Sequence, residues 1–218
     1  KVWTVVHRGG RIVVETCGEV LGEWHDDLEA ARAIRSSVEL WAAEQSNKDV
    51  AVHAAVLAFN DRAIVLPGRS GIGKSTLALA LIRAGATYYS DEFAVFNRQA
   101  EAIPYPRPLA VRRAQADGGV GVDHIVPSQV GAVVGDEPVA VKLIADLPFD
   151  PGLDSVACRE LPPALGALSL IENAVAARAQ PEAVLDIAAR VAGEALTLVG
   201  KRGPSEQAAE FLLRCIQV

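Results

Sequence analysis

Residues 68–75 read Gly68-Arg69-Ser70-Gly71-Ile72-Gly73-Lys74-Ser75, and Thr76 follows. A glycine, four residues and then Gly-Lys-Ser is the pattern of a phosphate-binding loop. The glycines let the backbone turn tightly and bring its N–H groups close to oxygen atoms. A helix that follows directly adds its positive N-terminal end. In such a loop Lys74 reaches the β- and γ-phosphates, Ser75 ligates Mg²⁺ and Thr76 adds a hydrogen bond.

The flanks agree with the motif. RAIVLP (62–67) reads as a strand running into the loop, and residues 74–84 read as the helix leaving it. Leu77, Leu81 and the alanines give that helix one apolar face, and Gly85 is its expected stop. Upstream, VAVHAAVLAF (50–59) is a strand joined to RAIVLP by the tight turn Asn60-Asp61. Downstream, ATYY (86–89) is a short strand ending at Ser90-Asp91-Glu92, and FAVF (93–96) continues extended.

Asp91 and Glu92 come sixteen residues after Ser75, a gap filled by one helix and one strand. If that second strand runs parallel beside the first, its C-terminal end lies at the sheet edge where ligands bind. One carboxylate then holds Mg²⁺ and the other accepts the proton of an attacking hydroxyl. An exposed acidic turn is the alternative. His53 also has two readings, as a satisfied structural histidine of an apolar strand or as a site residue beside the phosphate strand.

Other nucleotide chemistries find little support. Asn47-Lys48-Asp49 precedes the loop and lacks the spacer of a guanine-reading NKxD, and no DxxG follows. The glycine order is GxxGxG rather than GxGxxG, so no dinucleotide fold is indicated.

Composition sets wider bounds. The chain has 218 residues, half of them apolar, and a net charge of −6. Neither nucleic-acid backbones nor anionic membranes are expected partners. Cys17, Cys158 and Cys215 are far apart and odd in number, which argues against a disulfide framework or zinc site and for a reducing cytoplasm. No apolar run is long enough to span a membrane and no signal peptide opens the sequence. The sequence contains no methionine, so the natural chain is expected to extend before Lys1.

The remaining elements follow from pattern. VWTVV (2–6) and RIVVE (11–15) form a hairpin around His7–Gly10, and residues 27–46 form a helix capped by Asp26 or Asp27. Residues 97–135 hold most of the turn residues. Within them a short strand (109–112) and a mobile loop near 113–130 are expected. Beyond lie a buried strand (139–147), helices over 161–174 and 181–193, a strand over 195–200 and a last helix over 205–216. The expected organisation is an N-terminal hairpin and helix (1–49) packed on an α/β domain (50–218), the two forming one compact unit.

Residues 52–96, VHAAVLAFNDRAIVLPGRSGIGKSTLALALIRAGATYYSDEFAVF, resemble the core of the HPr kinase/phosphorylase superfamily. The shared features are a His-Ala strand, a hairpin, the phosphate loop, a helix ending near glycine and an acidic pair after a strand. PYPRPLAV (104–111) is similar to the Pro-basic-Pro segment of small HPr-kinase-like proteins. The resemblance implies an α/β P-loop sheet of the HPr kinase/phosphoenolpyruvate-carboxykinase type with flanking helices. It implies ATP and Mg²⁺, and phosphate transfer to a serine-type hydroxyl of a peptide, protein or small molecule.

Carried over by residue, Lys74 contacts phosphate, Ser75 binds Mg²⁺ and Asp91 is the catalytic base. His53 lies near the phosphates, and Arg107 contacts phosphate or substrate. Two departures stand out: Glu92 replaces the second Asp of the bifunctional enzymes, and their Glu-x-Arg-Gly-x-Gly stretch is not found after the acidic pair. Both point to a stand-alone kinase relative rather than a kinase/phosphorylase acting on HPr. A homo-oligomer is possible, as the bifunctional relatives are hexamers. The alternatives are a nucleotide-binding regulatory or partner protein, and an ATPase that powers another protein.

Overall fold

The computed structural model describes residues 1–46, 48–68, 71–114 and 120–217. The chain divides into two compact units, Lys1–Ser46 and Asn47–Val218.

In the first unit, strands β1 (Trp3–Arg8), β2 (Arg11–Thr16) and β3 (Glu19–Trp24) form an antiparallel sheet in that order. Helix α1 (Asp27–Gln45) follows, and the Asp26 carboxylate caps it by accepting from the Glu29 N–H at 2.9 Å. Ile12, Val14 and Ala30 are its small core, flanked by Trp3, Trp24 and Ile34. The hairpin and helix match expectation, and β3 is additional. EVLGEW lacks a clean apolar alternation, and pairing with β2 rather than local propensity makes it a strand.

The second unit holds the remaining elements. They are β4 (Val50–Phe59), β5 (Arg62–Pro67), α2 (Lys74–Arg83), β6 (Thr87–Ser90), β7 (Phe93–Phe96), β8 (Glu101–Ile103), β9 (Leu109–Ala114), β10 (Val120–Ile125), β11 (Val139–Asp146), β12 (Ala157–Leu161), α3 (Pro163–Glu172), α4 (Pro181–Glu194), β13 (Leu196–Lys201) and α5 (Ser205–Gln217). Among the described residues the main sheet runs β12-β13-β11-β5-β4-β7-β8, with β6 also on β4. Only β5–β11 and β11–β13 are parallel, so the sheet is mostly antiparallel.

Helices cover both faces, and the two-residue period of the strands sorts the core between them. Along β4, Ala55 and Leu57 pack with α2 and α5, while Val52, Ala54, Val56 and Ala58 pack with α3 and α4. Gly166 of α3 lies against Thr197 of β13, where a Cβ would come within 2.3 Å of the threonine hydroxyl oxygen.

One expectation is corrected here. β6 does not run beside β5. β4 stands between them and pairs antiparallel with each, through Val56↔Val65 on one edge and Leu57↔Tyr88 on the other. Two strands antiparallel to a common third point the same way, so β5 and β6 still end at the same edge. The outcome survives, but its cause is the Asn60-Asp61 hairpin, whose two residues sit at φ 51° and 56°, the geometry of a two-residue turn.

A second correction concerns residues 113–130. The described part is ordered as a hairpin: β9 and β10 pair from Leu109↔Ile125 to the 114↔120 pair, and a short 3₁₀ turn (Pro127–Val130) follows. Val122 and Ile125 supply strand propensity that the neighbouring glycines mask in sequence. Residues 115–119 of the expected loop lie outside the described residues.

Candidate functional site

β5 delivers the chain into the glycine loop, and α2 begins at Lys74 immediately after it. Gly73 is the N-cap of α2 with φ +93°, a left-handed conformation that glycine adopts without strain. A Cβ on Gly73 would lie 2.7 Å from the Arg202 guanidinium, and one on Gly71 2.8 Å from that of Arg112. The fixed Arg202 guanidinium and the left-handed backbone favour glycine at 73, and the left-handed backbone, φ +98°, favours it at 71.

The described part of the loop is pinned by its own hydrogen bonds. The Gly68 N–H donates to the His53 carbonyl at 3.1 Å, and the Phe149 N–H donates to the Ile72 carbonyl at 3.2 Å. The Lys74 ammonium donates to the Gly68 carbonyl at 2.6 Å. Arg69 and Ser70 lie outside the described residues.

Facing the loop is the bend between β6 and β7. It falls where β4 changes partner, between the pairs Val56↔Ser90 and His53↔Phe93. The Ala54 N–H donates to the Glu92 carbonyl at 3.2 Å, and the Ser90 hydroxyl accepts from the Phe93 N–H at 3.3 Å. These bonds fix the direction in which Asp91 and Glu92 leave the backbone.

The two acids have unlike surroundings. Asp91 is buried, at 6 % exposure. Its Oδ2 accepts from the Ala110 N–H of β9 at 3.1 Å, and its Oδ1 has no hydrogen-bond partner. Burial pushes its carboxyl above the ordinary carboxylate value; the Ser75 hydroxyl, the Ala110 N–H and Lys74 oppose that rise, and Glu92 adds to it. Glu92 is more open and forms an ion pair with the largely buried Arg107.

His53 is half-buried, its ring 4.9 Å from that of Phe93. Its backbone N–H donates to the Asn173 carbonyl at 2.8 Å. Burial lowers its imidazole below the usual value, which Glu92 opposes and Lys74 reinforces, so the neutral form is favoured. Burial also lowers Lys74, against the pull of Asp91, Glu92 and Asp146.

A cavity of about 390 Å³ lies between loop and bend. It is lined by His53, Gly68, Gly71, Gly73, Lys74, Ser75, Thr76, Asp91, Glu92, Pro108, Ala110 and Arg112. The fold therefore brings together most of the residues singled out in sequence. Two are placed elsewhere. Ile72 lines a small void on the opposite side of the loop, with Leu66 and Leu77. Arg107 does not line the cavity. Its guanidinium holds Glu92, and its carbonyl accepts from the Tyr88 hydroxyl at 2.6 Å.

Three further residues contribute, with unequal signals in the sequence. Ala110 acts through its backbone N–H, which any residue but proline supplies. Arg112 closes the strand expected at 109–112 and is one of the basic residues near the loop that suit a phosphorylated ligand. Asp146 ends β11, the parallel neighbour of β5, and burial and then Glu172 push its carboxyl up while Lys74 opposes. An apolar strand ending in aspartate, VAVKLIAD, was the available clue.

The residues fit a divalent cation only with help from a ligand. Among the described residues no group of three or more His, Cys, Asp and Glu is placed to hold a metal. Asp91 with its unpartnered oxygen and the adjacent Ser75 hydroxyl offer two donors, and Glu92 is already engaged by Arg107. Phosphate oxygens would have to complete the sphere, as is usual for Mg²⁺.

Among the described residues no helix is long and apolar enough to cross a membrane. No protein-family model and no curated protein matches the chain. Fifteen chains of solved structures do. One is the HPr(Ser) kinase/phosphatase from Coxiella burnetii, 24% identical, matched over 51% of this chain and 76% of that one, with a TM-score of 0.31. A likeness at that score carries no argument about the site, which rests on its own geometry.

Proposed function

We propose that the protein is an ATP-dependent kinase that transfers the γ-phosphate to a serine-type hydroxyl of a peptide, protein or small molecule. The observation that carries this reading is the buried, unpartnered Oδ1 of Asp91, held across the cavity from a glycine loop with Lys74 and Ser75 at its end. A buried carboxylate oxygen without a partner is costly, by about 1–3 kcal/mol, and such costs persist where a function needs the atom free.

In this reading the glycine loop is a phosphate-binding loop. Lys74 neutralises phosphate charge, which its release from the Gly68 carbonyl would permit. Asp91 Oδ1 accepts the proton of the acceptor hydroxyl as the new O–P bond forms and the bond from the γ-phosphorus to the leaving oxygen of ADP breaks. A raised carboxyl value makes Asp91 a stronger base than a solvated aspartate. His53, favoured as neutral, serves as a hydrogen-bonding neighbour rather than a second cation. Mg²⁺ would be held by Ser75 and phosphate oxygens, with Asp91 Oδ1 kept for the proton, and when bound would supply charge neutralisation at the transferring group. Arg107 positions Glu92.

The engagement of Glu92 by Arg107 favours one second reading, a nucleotide-binding regulator or ATPase with no acceptor, because it leaves a single free carboxylate. The deciding experiment incubates the protein with γ-labelled ATP, Mg²⁺ and a lysate of its own host, beside Asp91→Asn. Label on one species with wild type alone is the expected result. Nucleotide binding without transfer would establish the second reading.

A further inference from the structure

Arg202 carries an inference that rests on the phosphate-loop reading and goes beyond it. It follows β13 and is buried, at 1 % exposure. Its guanidinium donates to the Gly73 carbonyl at 2.8 Å, the Ser205 hydroxyl at 3.0 Å and the Gly203 carbonyl at 3.1 Å. Among the described residues its Nε has no hydrogen-bond partner and no carboxylate forms an ion pair with it, although Glu206 favours its charge against the effect of burial. The ring of Phe149 lies 5.5 Å from the guanidinium carbon. Backbone bonds stitch the same place: the Arg202 N–H donates to the Pro148 carbonyl and the Asp150 N–H to the Arg202 carbonyl.

Such a placement is electrostatically adverse. A buried cation normally has a carboxylate partner, because leaving water is costly for an unpaired charge. Here the charge also sits at the N-terminus of α2, the positive end of the helix dipole, where cations are disfavoured. Lys74 and Arg112 lie on the other side of the same short loop. Glu206 favours the Arg202 charge without forming an ion pair with it, and Asp91, Glu92 and Asp146 pull on Lys74; an anion in the cavity would add to that balance.

We propose that Arg202 is a positioning residue for polyphosphate, acting from behind the loop. It does not line the cavity. It holds the Gly73 carbonyl, which also accepts the Leu77 N–H at 3.1 Å, so that this oxygen does not present its negative end to an incoming phosphate. Its charge adds to the potential of the loop. The benefit scales with ligand charge near Gly73, so it is larger for a triphosphate than for a monophosphate.

The test measures binding of ATP, ADP and AMP by calorimetry to wild type, Arg202→Lys and Arg202→Met, each checked for folding by circular dichroism. The expected result for Arg202→Met is a loss of at least tenfold in ATP affinity, a smaller loss for ADP and less than threefold for AMP. Arg202→Lys, which keeps the charge and loses the fork, recovers most of the ATP affinity. If Arg202→Met does not fold, Ser205→Ala removes one acceptor and leaves the cation. A loss of about threefold for ATP with AMP unchanged is then expected. Unchanged ATP affinity, or equal losses for all three nucleotides, overturns the proposal while leaving the phosphate-loop reading intact. A wild type that binds none of the three sinks both.

Discussion

The glycine loop and the acidic bend meet the same cavity from opposite sides, and their polar groups are satisfied to opposite degrees. On the described part of the loop side the Gly68, Ile72 and Gly73 carbonyls and the Lys74 ammonium all have partners within the protein. On the bend side Asp91 is buried with one oxygen left over. The described part of the loop is therefore a scaffold, and the bend holds a reactive atom at a cost in stability. Substitutions on the two sides should fail in different ways, and this difference can be broken experimentally.

The largest effect is expected at the bend. Asp91→Asn should lower phosphate transfer by about 10²–10⁴-fold, the usual worth of a general base, and change nucleotide affinity by less than about threefold. The same substitution removes a buried carboxylate and should stabilise the unliganded protein by about 1 kcal/mol, or about 2–4 °C in Tm for a chain of this size. Calorimetric melting checks this. A fall in Tm would show that the Asp91 carboxylate supports the fold and would erase the contrast with the loop.

On the loop side binding should suffer first. Lys74→Ala is expected to weaken ATP binding by about 10–100-fold, the worth of one or two charge-assisted contacts. It also frees the Gly68 carbonyl, so a loss of about 1 kcal/mol in stability accompanies the loss of binding. Affinity equal to wild type in a titration would refute the role of Lys74 as a phosphate contact.

Stability should suffer as well as binding at Gly73. Alanine there must hold φ near +93° and place its Cβ 2.7 Å from a guanidinium that three acceptors hold in position. A cost of about 1–3 kcal/mol is expected, seen as a lower urea midpoint with unchanged slope. Asp91→Asn and Gly73→Ala thus move stability in opposite directions from either side of one cavity.

This asymmetry also explains what could be read from sequence. Residues 50–96 announce themselves locally. The Asn60-Asp61 turn, the glycine pattern and the stop at Gly85 each demand a particular backbone, and the expected elements match the observed ones to within a residue. Outside the strands expected at 109–112 and 139–147, residues 97–161 do not. β8 has three residues and exists because it pairs with both β7 and β11. β12 forms only against β13, from forty residues further along the chain. Short strands of this kind are stabilised by partners distant in sequence, so local propensity is silent about them.

The site divides in the same way. Lys74, Ser75 and Asp91 belong to contiguous patterns, and their meeting could be expected from strand direction. The ion pair between Glu92 and Arg107, the Ala110 N–H on Asp91 and the guanidinium of Arg202 behind Gly73 are all long-range contacts. Arg107 shows the hazard. A basic residue between two prolines near an acidic pair reads as a ligand contact, yet in the fold it neutralises the acid itself.

The smallest effect expected is one of pH, and its sign distinguishes a strained carboxylate from a merely buried structural one. Burial raises the Asp91 carboxyl above its unfolded value, so folding disfavours the ionised form. That cost is present in full above the folded-state value. As pH falls through that value toward about 3.9, Asp91 takes up its proton in the native state first and the cost disappears. The stability advantage of Asp91→Asn over wild type should therefore be greatest near neutral pH and shrink steadily on acidification. Melting both proteins side by side from pH 7 to pH 4 measures the convergence, and other groups common to the two cancel in the difference. A gap that widens in acid would mean that the ionised carboxylate is favoured by the fold. Asp91 would then be an ordinary satisfied acid and not the unsatisfied base on which the contrast with the loop depends.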